Sequence, residues 1–279
     1  MTTQTNLPLF YRQIEAFDSA RHGQLRRPAS ADFRFAAGAT VIPLVISELP
    51  LAMRHYPLVF LPGAPNEGPA LAILVGVGNE RNLFVGDDGA WRADAYIPAY
   101  VRRYPFHALR VDTQPDPLLA IDATYAAALQ DETAGNTAGN TAGDTLVDAA
   151  GKASPFLEDT LAFVRDYLVL AERTEAMCRA LMDAGVLEEG SISLQAADGA
   201  AHQINGFLSI NEERLRTLSS EALVALHKAD ALGLAYAQML SLANFAHLPL
   251  PAAAATATAA TPATADQPAK AASSRRKAP

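Results

Sequence analysis

The run from Phe156 to Asp183 contains neither glycine nor proline, and it constrains the fold more than any other feature of the chain. Leu157, Leu161, Val164, Leu168, Ala171, Cys178 and Met182 recur in steps of four and three, interrupted only at Glu175, which is the spacing of one helix face. Ser154 supplies an N-cap, Pro155 suits the first helical position, and Gly185 supplies the stop. The pattern predicts one long amphipathic helix.

Before it the period is short. Thr40 to Ile46, Leu58 to Leu61, Ala70 to Val77, His107 to Val111 and Leu118 to Asp122 are apolar runs bounded mostly by Pro, Gly or Asp, and they predict strands. Ser47 is placed to cap a short helix that ends before Tyr56-Pro57, because the residue before proline avoids helical geometry. Gly86-Asp87-Asp88-Gly89 predicts a tight turn between Leu83–Val85 and Trp91. After the long helix, Ile192 to Gln195 and Gln203 to Ile210 predict a hairpin around Asp198-Gly199. Ser219 to Ala231 and Leu234 to Ala246 predict two closing helices joined at Gly233. The expected class is α+β: a mixed or antiparallel sheet from the N-terminal half, packed by helices mainly from the C-terminal half.

Two segments fall outside this pattern. Residues 131–145 carry a Thr-Ala-Gly-Asn period too short for a solenoid, and they read as an expanded surface loop. From Pro251 the chain is almost all Ala, Thr and Pro, and 251–279 reads as a disordered tail after a single domain over 1–250. The formal net charge is −8 at pH 7, and the tail holds four cations and one anion, so residues 1–250 are more acidic still. Nucleic acid is not the expected partner. The longest apolar runs, Val41–Ile46 and Pro69–Val77, are too short to span a bilayer, and Met1 to Asn6 lacks a basic and apolar leader, so a soluble cytoplasmic chain is expected.

The search for chemistry finds little. Val75-Gly76-Val77-Gly78 follows a strand, but the third glycine of a dinucleotide loop is replaced by Arg81, so a turn is the better reading. Asp87-Asp88-Gly89 lacks the ligand alternation of a calcium loop. None of the six histidines pairs with another at helical spacing, no Gly-x-Ser-x-Gly elbow occurs, and the single cysteine, Cys178, falls on the apolar helix seam. No catalytic residue, metal site or cofactor is expected. The densest stretch runs from Asn82 through Trp91 to Phe106. In it Tyr96, Tyr100 and Tyr104 repeat every four residues beside Arg102 and Arg103, a combination suited to aromatic and forked-cation recognition. Trp91, Tyr96, Tyr100, Arg102, Arg103, Tyr104 and Asn82 are the candidate contact residues; the alternative is that the same groups form an aromatic mini-core.

Around these residues the sequence resembles the bacterial SapC family. The similarity rests on Val41-Ile42-Pro43-Leu44 with Glu48, Tyr56-Pro57-Leu58-Val59-Phe60, Asn82-Leu83-Phe84-Val85, Gly89 to Trp91, and above all Tyr96-Ile97-Pro98-Ala99 through Arg102-Arg103-Tyr104-Pro105-Phe106. Ile204-Asn205-Gly206-Phe207 and Ser241-Leu242-Ala243-Asn244 also fit. The resemblance covers residues from about 7 to 250 and implies surface-layer, envelope or uptake-related biology, with similar proteins found beside flavin-dependent halogenase-like proteins, 2-oxoglutarate oxygenase-like proteins and TonB-dependent receptors. It implies no catalytic residues. A non-catalytic accessory protein that binds a protein partner or small ligand is the expectation, with surface association requiring non-classical export. The alternative is a cytoplasmic enzyme or small-molecule-binding regulator using Glu48, His55, Asn82 and His107.

Overall fold

A computed structural model describes residues 7–26, 31–64, 67–78, 81–111, 116–127, 145–195, 199 and 201–250. The tail, and the loop expectation for 131–144, lie outside these residues. Among them the chain forms two antiparallel sheets, and the α+β class holds. The strands are β1 (Ile14–Ala16), β2 (Val41–Pro43), β3 (Leu58–Leu61), β4 (Ala70–Leu74), β5 (Phe106–Leu109), β6 (Leu118–Asp122), β7 (Leu187–Gln195) and β8 (Ala201–Ile210). The larger sheet runs β2-β4-β3-β8-β7 and the smaller runs β1-β6-β5. The C-terminal half thus adds two strands to the larger sheet.

The helices are α1 (Ser19–His22), α2 (Leu49–Ala52), α3 (Ala99–Arg102), α4 (123–127), α5 (Pro155–Asp183), α6 (Glu212–Arg216), α7 (Ser220–Lys228) and α8 (Ala231–Ser241). The long helix is α5. Ser154 Oγ caps it by accepting from the Leu157 amide at 3.3 Å, and Gly185 ends it at φ +69°, where only glycine fits cheaply. Its buried face differs from the simple heptad: Leu157, Val164, Tyr167, Thr174, Met177, Cys178 and Leu181 are inside, while Met182 is exposed. The cause is that α5 serves two cores. Leu157 and Val164 pack with Phe106 and Ile121 of the smaller sheet, whereas Tyr167, Met177, Cys178 and Leu181 pack with the larger one. A stripe at 3.6 residues per turn rotates between the two floors.

Two expected joints move. The turn between α7 and α8 is at Asp230, not Gly233; Asp230 tolerates φ +57° and is paired with Arg173 at 2.7 Å, while Gly233 lies inside α8. The short helix after β2 begins as a 3-10 turn at Ile46–Glu48, and its cap comes from Glu48 reaching back to the Val45 amide rather than from Ser47. At the predicted tight turn Gly89 has φ +82°, but only a single bridge, Val85 to Trp91, joins its arms.

The centre of the larger sheet is thin, because β3 and β8 share one paired position, Phe60 with Leu208. Gln238 of α8 completes the seam. Its Oε1 accepts from the Ile210 amide at 3.1 Å and its Nε2 donates to the Leu58 carbonyl at 3.1 Å, so a buried side-chain amide stands in for a missing rung. Ser241 Oγ accepts from the Leu58 amide at 2.9 Å on the next turn.

Candidate functional site

The densest sequence stretch separates into an internal scaffold and an open face. Glu48 anchors the scaffold. It is 3% exposed, and its carboxylate accepts from the Val45 amide at 3.1 Å, the Ala99 amide at 2.6 Å and the Tyr96 hydroxyl at 2.9 Å. These bonds satisfy the first amide of α3, which a helix of four residues cannot satisfy itself. Burial raises the Glu48 pKa above its ordinary value, against the pull of those donors. Tyr96, whose hydroxyl faces that carboxylate, is raised to about 12, chiefly by burial.

Trp91 belongs to the interior. Its Nε1 donates to the Tyr56 hydroxyl at 3.1 Å, Tyr56 in turn donates to the Tyr96 carbonyl, and Phe84 packs edge-on to Tyr56 at 4.7 Å. Asn82 is fully buried as a turn former, donating to the Ala36 carbonyl at 3.3 Å and accepting from the Phe84 amide at 2.9 Å. Both residues are held entirely by protein groups.

Arg103 is also inside, at 5% exposure. Its guanidinium lies 4.1 Å from the Tyr100 ring centroid, 4.5 Å from Tyr167 and 5.8 Å from Tyr11. No carboxylate pairs with it among the described residues, and its Nε has no hydrogen-bond partner. Three tyrosine faces therefore carry the stabilisation of a desolvated cation. His107 packs on Tyr11 at 5.3 Å with its Nδ1 unpartnered; burial, helped by the Arg103 charge, lowers its pKa to about 4. Tyr100 donates to the Leu9 carbonyl at 3.3 Å, and Phe10, a bulky residue at φ +79°, sets its ring against both Tyr100 and Tyr104. Those ring contacts offset the cost of a left-handed phenylalanine.

Arg102 points elsewhere and is exposed. Its Nε donates to the Ile97 carbonyl and its Nη2 to the Tyr96 hydroxyl, both at 3.1 Å, while its guanidinium covers the Phe163 ring at 5.2 Å. Tyr96 thereby links two groups: it donates to Glu48 and accepts from Arg102. Tyr104, half-buried, stacks on Phe35 at 4.2 Å and donates to Asp122 at 3.3 Å.

Arg102 and Tyr104 border a cleft of about 610 Å³. One wall is the first half of α5, with Phe156, Asp159, Thr160 and Phe163; another is the segment holding Asp32, Phe33 and Phe35. The run from Val101 to Phe106 forms a third, and the lining is mainly aromatic and aliphatic. Of the sequence candidates, Arg102, Arg103 and Tyr104 line this space, whereas Asn82, Trp91, Tyr96 and Tyr100 do not. Sequence reasoning missed Phe163 and Tyr167, adjacent on one face of α5, which receive Arg102 and Arg103 respectively; an aromatic pair at four-residue spacing was the available signal. The other group of candidates is not assembled: no hydrogen bond or ring contact joins any two of Glu48, His55, Asn82 and His107 among the described residues. Among these residues there is also no group of three His, Cys, Asp or Glu side chains placed to hold a metal, and no helix long and apolar enough to cross a membrane.

The fold and cleft define an α+β protein with an aromatic, arginine-edged recess between the smaller sheet and its longest helix. The SapC family model matches residues 17–248, which include the Arg-Arg-Tyr-Pro-Phe element, and the chain belongs to the SapC family. No curated protein and no solved structure matches it.

Proposed function

We propose that this chain is a non-catalytic binding protein that receives a ligand or partner segment in the cleft bordered by Arg102, Tyr104 and Phe163. The observation that carries the reading is the cleft: about 610 Å³ of mainly aromatic and aliphatic lining, formed in part by the Arg-Arg-Tyr-Pro-Phe element that lies within the family match. Pockets of this size and lining, with a few polar groups at defined places, are the usual form of small-ligand sites. The envelope or uptake-related setting implied by the SapC resemblance is the proposed biological context.

The test is a thermal-shift screen of small amphipathic compounds against the wild-type chain and Arg102→Ala, with pull-downs from envelope extracts run on the same pair. Arg102 is exposed, so its removal should leave the unligated melting temperature within a few degrees while weakening ligand stabilisation. Stabilisation of both proteins to the same extent by every hit, with identical pull-downs, would move the site away from this cleft.

A further inference from the structure

We infer that the cleft takes an amphipathic carboxylate: an apolar body lying on the Phe35, Phe106, Phe156 and Phe163 side chains, with its anionic end at Arg102. The inference rests on the binding reading above and adds the chemistry of the ligand.

Charge is the first argument. The chain carries a net charge of −8, yet two arginines without a carboxylate partner among the described residues, Arg102 and Arg103, line this cleft, against two aspartates, Asp32 and Asp159. Asp32 is already held by Arg34 at 2.6 Å. The cleft is thus a cationic recess in an acidic molecule, where low-dielectric walls strengthen the field on an entering anion.

The second argument is how the arginines are held. Arg102 pairs with no carboxylate among the described residues, a condition it shares with Arg12, Arg54, Arg165, Arg214 and Arg216; what sets it apart is that it borders the cleft and is fixed there. Glu48, whose charge it feels, spends its oxygens on Val45, Ala99 and Tyr96. The Ile97 carbonyl and Tyr96 hydroxyl fix the Arg102 guanidinium through Nε and Nη2, and Phe163 supports its plane. No hydrogen bond reaches Nη1 among the described residues, which leaves the Nη1 and Nη2 edge, the edge that matches the two oxygens of a carboxylate. Arg103 stands behind it in the same wall as a second cation, buried and without a carboxylate, with Nε bare. A fixed, pre-oriented fork loses little entropy on binding.

The third is the aromatic lining. It has few groups that would recognise a polar body: Thr160 spends its hydroxyl on the Phe156 carbonyl at 2.7 Å, and Tyr104 spends its hydroxyl on Asp122. Specificity then sits at the Arg102 end of the cleft, and affinity in the apolar remainder.

The experiment is calorimetric titration of the full chain with sodium octanoate, octanol, octyl phosphate and inorganic phosphate. Octanoate is expected to bind about tenfold more tightly than octanol, the value of one charge-assisted pair. Octyl phosphate should bind no better than octanoate, and inorganic phosphate alone should bind at least about a hundredfold more weakly, because it buries no apolar body. In Arg102→Ala the octanoate-to-octanol ratio should fall to about one, and Arg102→Lys should restore only part of it. Equal binding of octanoate and octanol to the wild type would overturn this inference and leave the binding reading standing. Tighter binding of octyl phosphate would replace the carboxylate by a phosphate ester. If neither octanoate nor octanol bound up to about 1 mM, both the inference and the reading of the cleft would fail.

Discussion

Removal of the Glu48 carboxylate should release the start of α3 and, with it, Arg102. In Glu48→Ala the Val45 amide, the Ala99 amide and the Tyr96 hydroxyl lose their shared acceptor in a site that is 3% exposed. A hydrogen bond to a charged group contributes about 1.5–3 kcal/mol, and three such bonds around one carboxylate are not additive, so the expected loss is about 3–5 kcal/mol. For a domain of this size that corresponds to a fall in melting temperature of roughly 6–20 °C. Glu48→Gln keeps one oxygen for Tyr96 and Ala99 but turns an amide N–H₂ toward the Val45 N–H; a loss of about 1–2 kcal/mol is expected. The pH dependence separates this from a generic packing defect. Because burial raises the folded-state pKa of Glu48, its protonation adds stability that is fully present below the ordinary value of 4.5 and is lost as pH rises through the folded value. Glutamine does not titrate, so the stability gap between wild type and Glu48→Gln should narrow as pH increases above 4.5. Thermal denaturation by circular dichroism across that range measures both effects. A melting temperature for Glu48→Ala within about 2 °C of wild type would refute the role of this carboxylate as the joint between the β2–β3 connection and α3.

Other expectations follow from the interior cluster. His107 should titrate in the folded chain near pH 4, well below its ordinary 6.5, so stability present above 6.5 should decline as pH falls toward 4; an imidazole NMR titration near 6.5 would contradict its placement. Arg103→Met should raise the His107 pKa by removing a neighbouring cation, while burial keeps it below 6.5. Cys178 is fully buried, with its thiol pushed up to about 12, so it should react with thiol reagents only as fast as the chain opens; rapid labelling of the native protein would be inconsistent with its position on α5.

What the sequence made legible was local. Leu58–Leu61 and Leu118–Asp122 emerge as strands at the predicted bounds, and Ser154, Pro155 and Gly185 mark α5 because capping and chain-termination chemistry depend on a few neighbouring residues. The joints that moved are those where a side chain distant from the turn decides: Asp230 adopts its left-handed geometry with Arg173 on another helix, and Glu48 caps one turn while serving the next. The candidate site was half visible. Residues Trp91 to Phe106 stood out by composition, but the division between Arg103 inside and Arg102 at the cleft depends on Phe163 and Tyr167, which only the docking of α5 brings to α3. Gln238 was illegible for the same reason, since a glutamine in an apolar helix shows its purpose only when the gap between β3 and β8 is in view.

The central claim is that binding occurs at the Arg102 cleft rather than on an exposed apolar face such as that of α8, where Tyr236 is 55% and Leu240 68% exposed. Backbone NMR chemical-shift mapping during titration with octanoate tests it most directly. The account predicts that the largest shifts fall on amides of Val101 to Tyr104 and Phe156 to Phe163, with Tyr236 to Leu240 unmoved. Shifts centred on Tyr236 and Leu240, with the Arg102 segment silent, would contradict it.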